Sequence, residues 1–343
     1  METLTHERAG TTGGADPALA APHRRAPRAP AVALLVGMRP SEWIKNLLVF
    51  AGLLFSQKLR QGPEVVDAVL TFVAFCAISS AGYLFNDLRD APLDRRHPEK
   101  RFRPIARGEL TALAASVAAI VLLAGALGIS LAFVSAEVAG LVALYGVTTA
   151  AYSLVVKRLV ILDVMTIASL FILRVVAGAV AVEAHASEWL LLCTAMLALF
   201  LGFTKRRQEA MAEQSVPPAS STWAPEARAA TRSEGSDAEP GGSGATRPVL
   251  EHYSLPFLDQ MVAMVTAGAI MSYAIYAVNS PLIGSKMLAT APSVLYGIFR
   301  YLYLIYDRGD TRSTATILTE DPGMLFAAVT WIATALLMLY AFD

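Results

Sequence analysis

NDLRDAPLDRRHPEKRFRPIARG, at residues 86–108, is the stretch around which the rest of the chain can be arranged. It follows directly on the apolar run Val65–Phe85, which is long enough to cross the ~30 Å hydrocarbon core of a bilayer as a helix. Its polar side chains therefore lie where a membrane helix meets water. If that helix continues, Asn86, Asp90 and Asp94 fall at positions i, i+4 and i+8 on one face.

Four oxygen-bearing side chains, which we call the acidic motif, form a candidate metal site: Asn86, Asp87, Asp90 and Asp94. Carboxylates one helical turn apart repel each other, so such a cluster implies a bound cation. An all-oxygen set suits a hard ion, Mg²⁺ before Ca²⁺. Mg²⁺ commonly bridges protein carboxylates to substrate phosphate. Pro92 is expected to break the helix, which leaves the register beyond Asp90 open.

Basic residues make up much of the remaining stretch: Arg95, Arg96, Lys100, Arg101, Arg103 and Arg107. They could hold phosphate charge that the metal leaves unpaired. A simpler alternative is a solvated cytosolic loop that obeys the positive-inside rule. This alternative explains the arginines but not the carboxylates, so we favour a joint metal and phosphate site.

The composition identifies a membrane protein. Of 343 residues, 55% are hydrophobic and 16% are charged, and the mean hydropathy is +0.51, which is typical of a chain that crosses the bilayer several times. The formal net charge is zero, so no bulk field points to nucleic acid as a partner. Cys76 and Cys193 lie inside apolar runs and are interpreted as small buried hydrophobic residues.

The chain divides into a tail and one membrane domain. Residues 1–37 are predicted to be a disordered cytosolic tail, because Met1–Pro30 is rich in Ala, Pro, Gly and Arg without apolar periodicity. Residues 38–343 form the membrane domain. Within it, residues 213–248 are rich in Ser, Pro, Gly and Ala and are predicted to be a flexible cytosolic insertion.

About nine spans of membrane-crossing length predict an all-α polytopic bundle. The spans are Trp43–Gln57, Val65–Phe85, Thr111–Phe133, Glu137–Leu154, Leu159–Val182, Glu188–Phe203, Pro256–Val278, Leu288–Tyr306 and Met324–Phe342. Lys and Arg are concentrated in the loops that close the even-numbered spans. The positive-inside rule therefore predicts a plasma (inner) membrane protein with a cytosolic N-terminus and an external C-terminus.

Most other polar side chains of the spans fall at their cytosolic ends. They are Arg39, Lys45, Asn46, Tyr152, Ser153, Lys157, Asp163, Lys205, Arg206, Glu209, Tyr253, Asp259, Tyr296, Arg300, Tyr303 and Asp307. Charges near the bilayer interior are costly unless they face a cavity and find partners, so one polar cavity at the cytosolic leaflet accounts for all of them together. For each residue alone, snorkelling into the headgroups is the alternative.

Arg174 differs from these residues in its depth. It lies eleven residues beyond Asp163, which is ~16 Å of helix on the same face. A guanidinium near mid-membrane needs an anionic partner. That partner is either a carboxylate, which would make the role structural, or a lipid phosphate drawn into the bundle.

The acidic motif and the residues after it resemble the UbiA superfamily of intramembrane prenyltransferases. The matching pattern is Asn86-Asp87-x-x-Asp90-x-x-x-Asp94, followed by His97-Pro98-x-Lys100-x-x-Arg103-Pro104-Ile105-Ala106-x-Gly108. The resemblance covers the chain from Arg39 to the C-terminus except the insertion. It implies a bundle of nine helices around a central cavity, with Mg²⁺ bound by the aspartates.

A narrower resemblance, to the decaprenyl-phosphate phosphoribosyltransferases, rests on several short pieces. They are Arg39-Pro40-x-x-Trp43-x-Lys45-Asn46, Leu162-Asp163-Val164, Leu173-Arg174, Lys205-Arg206, Tyr253-Ser254 and Tyr296-Gly297-x-Phe299-Arg300-Tyr301. It implies transfer of a 5-phosphoribosyl group from phosphoribosyl diphosphate to a polyprenyl phosphate such as decaprenyl phosphate. In that family the product feeds the lipid-linked pentose of actinobacterial cell-wall arabinan.

The local chemistry agrees with this resemblance. Mg²⁺ on the acidic motif would neutralise the leaving diphosphate, and an anionic lipid phosphate needs no general base to attack. We assign Asp90, Asp94 and Arg103 as catalytic residues. The predicted substrate-binding set is Lys45, Asn46, Asn86, Lys100, Arg103, Tyr152, Lys157, Asp163, Arg174, Lys205, Arg206 and Arg300. The expected partners are the two phosphate substrates and the membrane, and a homo-oligomer is compatible with this interpretation.

Two alternatives remain open at this point. An aromatic prenyltransferase would need a second Asp-rich motif after the sixth span, where this chain has the basic segment Thr204–Glu209. A cation transporter that uses the acidic motif as its ion site would place carboxylates near mid-membrane on discontinuous helices. The acidic motif instead follows the end of an apolar run.

Overall fold

The computed structural model describes residues 28–56, 58–97, 100–214, 253–280, 284–310, 312 and 314–340. Over these residues the chain is helical and contains no strand. The helices are α1 (Pro30–Met38), α2 (Phe50–Phe55), α3 (Gly62–Asp94), α4 (Pro104–Arg107), α5 (Ala112–Ile129), α6 (Ala136–Leu154), α7 (Leu162–Ala181), α8 (Glu188–Gln214), α9 (Leu255–Val278), α10 (Ala291–Tyr306), α11 (Thr314–Glu320) and α12 (Pro322–Tyr340). 3₁₀ helices precede α2 (Pro40–Val49) and α10 (Gly284–Thr290).

Seven helical segments of the described part are long and apolar enough to cross a membrane. They are Gly62–Asp94, Ala112–Val134, Ala136–Leu154, Leu162–Ala181, Glu188–Ala212, Leu255–Val278 and Gly284–Tyr306. Pro322–Met338, in α12, is a shorter apolar segment. Leu113, Ile120 and Phe133 of the segment that begins at α5 are 76%, 64% and 68% exposed, as expected for side chains in contact with lipid. The predicted all-α membrane bundle is confirmed.

The first predicted span, Trp43–Gln57, is not an α-helix throughout. It consists of a 3₁₀ helix of 10 residues followed by α2, which has 6 residues. A 3₁₀ helix rises ~2.0 Å per residue against ~1.5 Å in an α-helix. The two parts together therefore extend about 29 Å, which nearly matches the ~30 Å hydrocarbon core. The more extended 3₁₀ winding makes this segment longer than an α-helix of the same number of residues.

In a 3₁₀ helix every third side chain lies on the same face, because there are three residues per turn. One face packs on the bundle and contains Trp43, Asn46 and Val49. The next face borders a cavity and contains Glu42, Lys45 and Leu48. On the packed face, Trp43 Nε1 donates a hydrogen bond to Ser80 Oγ in α3 at 3.0 Å.

The backbone of the first span touches the backbone of α7. A Cβ atom on Gly178 would lie 1.8 Å from Val49 O, and a Cβ atom on Gly52 would lie 2.6 Å from Ala179 Cα. Neither position has room for any residue larger than glycine. Small residues allow this close approach between membrane helices, and the contact fixes the depth at which the cavity-facing side chains of the 3₁₀ helix lie.

α3 continues through the acidic motif to Asp94 although Pro92 lies inside it. The expectation that Pro92 breaks the helix is therefore wrong. The proline occupies the last turn, and Arg95 N still donates to Ala91 O at 3.1 Å, so the loss of one backbone donor does not end the helix early. The acidic motif keeps its helical register.

α1 begins inside the segment that the sequence predicts to be a disordered tail. Its Ala33 is 0% exposed and belongs to an apolar cluster with Leu84 of α3 and Ile105 of α4. A helix of nine residues is marginal alone, so packing on α3 accounts for its formation. Residues 1–27, and residues 215–248 of the predicted insertion, lie outside the described residues.

Candidate active site

The helices enclose a large cavity of about 1130 Å³. Its walls come from the first span and from α3, α6, α7, α8, α9, α10 and α12. The end beside the acidic motif, which we call the motif end, is lined by charged side chains. Farther in, the walls are largely apolar and aromatic, with Phe55, Tyr276 and Trp331 among them. A cavity that is polar at one end and apolar along its depth suits an amphiphilic ligand.

Most of the predicted site residues line this cavity: Lys45, Asn86, Asp90, Asp94, Lys100, Arg103, Tyr152, Lys157, Arg174, Lys205 and Arg206. They come from separate spans, so the structure brings together side chains that are far apart in sequence. Four predicted residues are not in the wall: Asn46, Asp87, Asp163 and Arg300.

Arg103 bridges two carboxylates of the acidic motif. Its Nη1 lies 3.1 Å from Asp87 Oδ1 and 2.7 Å from Asp94 Oδ2. Arg39 Nη2 lies 2.5 Å from the same oxygen of Asp87. Asp87 is 2% exposed and borders a second pocket, of about 310 Å³, which Arg103 also borders. Asp87 is thus held between two arginines beside the smaller pocket, whereas Asp90 borders the main cavity.

Asp90 pairs with Lys157, whose Nζ lies 2.7 and 2.8 Å from the two carboxylate oxygens. Lys157 follows the end of α6. Arg89 caps this end by donating to the backbone oxygens of Ser153 and Leu154, so it fixes the position from which Lys157 reaches Asp90. Arg89 cannot be recognised from the local sequence, because its carbonyl partners lie 64 and 65 residues away.

The acidic motif offers donors of the kind that Mg²⁺ prefers. Asn86, Asp90 and Asp94 border the cavity from one face of α3, and carboxylate and amide oxygens suit hard divalent ions. In this arrangement Lys157 and Arg103 engage the two carboxylates. Within the described residues, no three acidic, histidine or cysteine side chains lie close enough to hold an ion together. The chemistry of the donors fits Mg²⁺, and an ion there would compete with Lys157 and Arg103.

Arg206 is buried in a network of ion pairs. Its side chain is 1% exposed. Nε lies 2.6 Å from Asp163 Oδ2, Nη1 lies 2.6 Å from Glu209 Oε2, and Nη2 donates to Tyr152 OH at 3.1 Å. Two carboxylates therefore already compensate its charge. Its guanidinium joins α8 to α7, and we therefore expect it to support the fold rather than to bind substrate phosphate.

Asp163 completes this network from the buried side. It is 0% exposed and accepts a second hydrogen bond, from Tyr253 OH at 2.9 Å. The same hydroxyl accepts from Ile161 N at 2.6 Å. Burial and the nearby Asp163 raise the pKa of Tyr253 to about 12, so the hydroxyl keeps its proton. Asp163 therefore holds the start of α7 in place, and we expect this structural role rather than a contact with substrate.

Arg300 lies on the outer side of the bundle. It pairs with Asp321, at 3.1 Å from Nε to Oδ1 and 2.9 Å from Nη2 to Oδ2, and Asp321 Oδ1 also accepts from Met324 N in the first turn of α12. Its neighbours Tyr296 and Tyr303 on the same face of α10 are 43% and 39% exposed. The predicted shared face is therefore present but points away from the cavity, so we do not expect Arg300 to contact substrate.

Glu42 is a cavity residue that the sequence argument missed. It lines the wall and forms an ion pair with Lys45. The usable signal was its position three residues before Lys45, because residues i and i+3 align on a 3₁₀ helix. The same spacing also pairs side chains on an α-helix, so the signal does not depend on the 3₁₀ winding.

Arg174 lies in the deeper part of the cavity wall and has only neutral partners. Nε donates to Asn46 Oδ1 at 2.7 Å, Nη1 donates to Leu170 O at 2.8 Å, and Nη2 donates to Tyr145 OH at 2.6 Å. Asn46 does not line the cavity. Asn46 therefore holds Arg174 from the side away from the cavity, and we expect it to act on substrate only through Arg174. Among the described residues no carboxylate pairs with Arg174, so a structural partner of that kind is not found.

The fold and the cavity define a multi-pass helical membrane protein with a polar site inside the bundle. The sequence profile of the UbiA prenyltransferase family matches residues 47–214. The chain is 29% identical over 326 residues to the decaprenyl-phosphate phosphoribosyltransferase of Corynebacterium glutamicum, covering 92% of this chain and 90% of that protein. It is 30% identical over 309 residues to the enzyme of the same name from Mycobacterium tuberculosis, covering 87% and 91%.

Solved structures agree with these sequence comparisons. A UbiA homologue from Archaeoglobus fulgidus bound to GPP and Mg²⁺ superposes with a TM-score of 0.65 at 18% identity, covering 90% of this chain and 99% of that one. This chain belongs to the UbiA prenyltransferase family, and it is a transferase. The predicted family and enzyme class are thereby confirmed.

Proposed function

We propose that this protein transfers a 5-phosphoribosyl group from phosphoribosyl diphosphate to a polyprenyl phosphate such as decaprenyl phosphate. The observation that carries the proposal is the similarity to named decaprenyl-phosphate phosphoribosyltransferases over about nine-tenths of both chains. The cavity supports it, because an apolar interior suits a polyprenyl chain and a charged motif end suits a soluble phosphorylated donor.

The charges at the motif end support a donor that carries several phosphates. Lys45, Lys100 and Lys205 line the wall there, together with Arg103 and Lys157. Lysine and arginine bind phosphate oxygens through charge-assisted hydrogen bonds. A second acidic motif would be expected for a second metal ion, whereas the corresponding turn of α8 has Lys205 in the wall. We assign the diphosphate of the donor to this basic end.

Mg²⁺ would be held by Asn86, Asp90 and Asp94 and would supply positive charge to the leaving diphosphate. In the transfer, the bond from the anomeric carbon to the diphosphate oxygen breaks and a bond to an oxygen of the lipid phosphate forms. That oxygen is already anionic, so no side chain has to remove a proton. Arg103 and Lys157 would balance the charge of the carboxylates and of the departing diphosphate.

The membrane context extends the proposal. We place the motif end at the cytosolic face of the plasma membrane, because the loops beside it are rich in Lys and Arg. A soluble phosphorylated donor is then available on that side. The product would supply lipid-linked pentose for cell-wall arabinan.

The test is to offer the purified protein two sets of substrates. One set is radiolabelled phosphoribosyl diphosphate with decaprenyl phosphate, and the other is a prenyl diphosphate with aromatic acceptors. We expect label in the lipid fraction only with the first set, and only when Mg²⁺ is present. Transfer with the second set alone would assign the protein to the aromatic prenyltransferases.

A further inference from the structure

Arg174 is a cation inside the membrane bundle whose charge the described part of the protein leaves uncompensated. The residue is 4% exposed, and its three hydrogen-bond acceptors are an amide, a backbone carbonyl and a phenol. The rings of Tyr145 and Phe171 lie 4.8 and 5.2 Å from the guanidinium carbon. These contacts stabilise a cation only partly, because an isolated buried charge remains costly until an anion approaches it.

The neutral partners hold the guanidinium in one orientation. Asn46 Nδ2 lies 3.3 Å from both Cys76 Sγ and Ser79 Oγ, which turns its oxygen towards Arg174. Tyr145 in turn packs against Phe75, with the ring centroids 5.2 Å apart. A guanidinium has five N–H donors, and three are engaged here. The two that remain belong to Nη1 and Nη2, at the end of a side chain that lines the cavity.

A second polar group near this position also lacks a partner. Thr149 lies one helical turn from Tyr145 on the same face of α6 and lines the same cavity. Its hydroxyl oxygen is buried and has no hydrogen-bond partner in the described structure. Buried polar atoms are nearly always satisfied, so an unsatisfied one in the wall of the same cavity as an uncompensated cation indicates a polar ligand.

The position is separate from the acidic motif. Ser79, which contacts Asn46, precedes Asn86 by seven residues of α3, or ~10 Å along the helix. At the motif end, Lys45 and Lys157 each pair with a carboxylate. Arg174 has no such counterion, so its surroundings favour an anion supplied by a ligand.

We propose that Arg174 and Tyr145 form a subsite for a phosphate monoester in the deeper part of the cavity. The inference rests on the proposed function for the identity of the phosphate, since both the polyprenyl acceptor and the 5-position of the donor carry a monoester. The planar guanidinium suits two phosphate oxygens at once. Either source satisfies the same chemistry, and binding measurements distinguish them.

The experiment uses the full chain in detergent and measures binding without turnover. The probes are farnesyl phosphate, ribose 5-phosphate and farnesol, titrated by calorimetry against wild type, Arg174→Gln and the matched control Arg300→Gln. Arg174→Gln should lower the binding affinity for one of the two phosphates at least tenfold and leave the affinity for farnesol unchanged. Arg300→Gln should not lower the affinity for either phosphate. Weaker binding of farnesyl phosphate identifies the lipid phosphate as the ligand of the subsite. Weaker binding of ribose 5-phosphate identifies the 5-phosphate of the donor as the ligand.

Unchanged affinity of a folded Arg174→Gln for both phosphates would overturn the subsite and leave Arg174 as a packing residue. If that variant does not fold, Arg174→Lys decides, because it keeps the charge and loses the planar fork. Weaker phosphate binding with intact farnesol binding then supports the subsite, and unchanged phosphate binding rejects it. Because no transfer is measured, failure of the phosphoribosyl assay would not be confused with failure of this subsite.

Discussion

Replacing Arg206 should destabilise the protein, whereas replacing the adjacent Lys205 should weaken donor binding. Arg206 is 1% exposed and its partner Asp163 is 0% exposed, so Arg206→Met would leave a carboxylate buried without its cation. Breaking a buried pair from one side costs about 3–5 kcal/mol. Glu209 is 26% exposed and can be solvated, so its loss of a partner should add little.

Lys205 lines the cavity, and a charge-assisted contact to phosphate contributes about 1.5–3 kcal/mol. At 1.4 kcal/mol per decade, Lys205→Met should raise the KM for phosphoribosyl diphosphate about tenfold or more. Its unfolding in mixed SDS micelles should stay close to that of wild type. Arg206→Met should show the reverse: easier unfolding, and a donor KM near that of wild type for the molecules that remain folded.

A double variant makes this comparison sharper. Arg206→Met combined with Asp163→Asn removes both charges of the buried pair. The double variant should therefore lose less unfolding free energy than the two single variants lose in total. The reasoning is refuted if Arg206→Met unfolds like wild type and raises the donor KM. In that case the guanidinium, and not the neighbouring ammonium, would contact the donor.

Four further predictions concern other parts of the molecule. Asp90→Asn should lower transfer and shift the Mg²⁺ requirement upwards, and an unchanged Mg²⁺ titration would contradict its role as a ligand. Gly178→Ala should destabilise the fold, because its Cβ would lie 1.8 Å from a backbone oxygen. Gly125→Ala, whose Cβ would lie in open space, should leave the free energy of unfolding unchanged or raise it by up to ~1 kcal/mol; thermal melting compares the two variants. Arg300→Gln should leave both substrate KM values unchanged, because its side chain pairs with Asp321 and points away from the cavity. Deletion of residues 217–247 should preserve the transfer rate, and a large loss would assign that segment a function.

The sequence predicted the helical class and the register of the acidic motif as far as Asp90, because both depend on local periodicity. Apolar runs of membrane-crossing length identify spans without knowledge of their neighbours. The spacing of Asn86, Asp90 and Asp94 places them on one face of any continuous helix. The single error in this region, at Pro92, arose because a proline in the last turn of a helix is cheaper than one in its middle.

The direction in which a polar face points was not predictable in the same way. In a membrane bundle the lipid-facing side and the packed side are both apolar, so the pattern around Arg300 does not say which side it faces. Lys205 and Arg206 differ by one residue, or ~100° around a helix, and the position of Asp163, 43 residues away, decides that Arg206 joins the buried ion pair. The neutral partners of Arg174 likewise come from Asn46, 128 residues away.

The 3₁₀ winding of Pro40–Val49 sets how this part of the gene can vary in length. With three residues per turn, an insertion of three residues would lengthen the segment by ~6 Å and return every later side chain to its original face. An insertion of four, which roughly preserves a face in an α-helix, would here turn the packed face, which contains Asn46, by a third of a turn. Length changes in multiples of three therefore keep each side chain of this segment on its face, whereas in the α-helical spans a change of about seven residues is needed to do so.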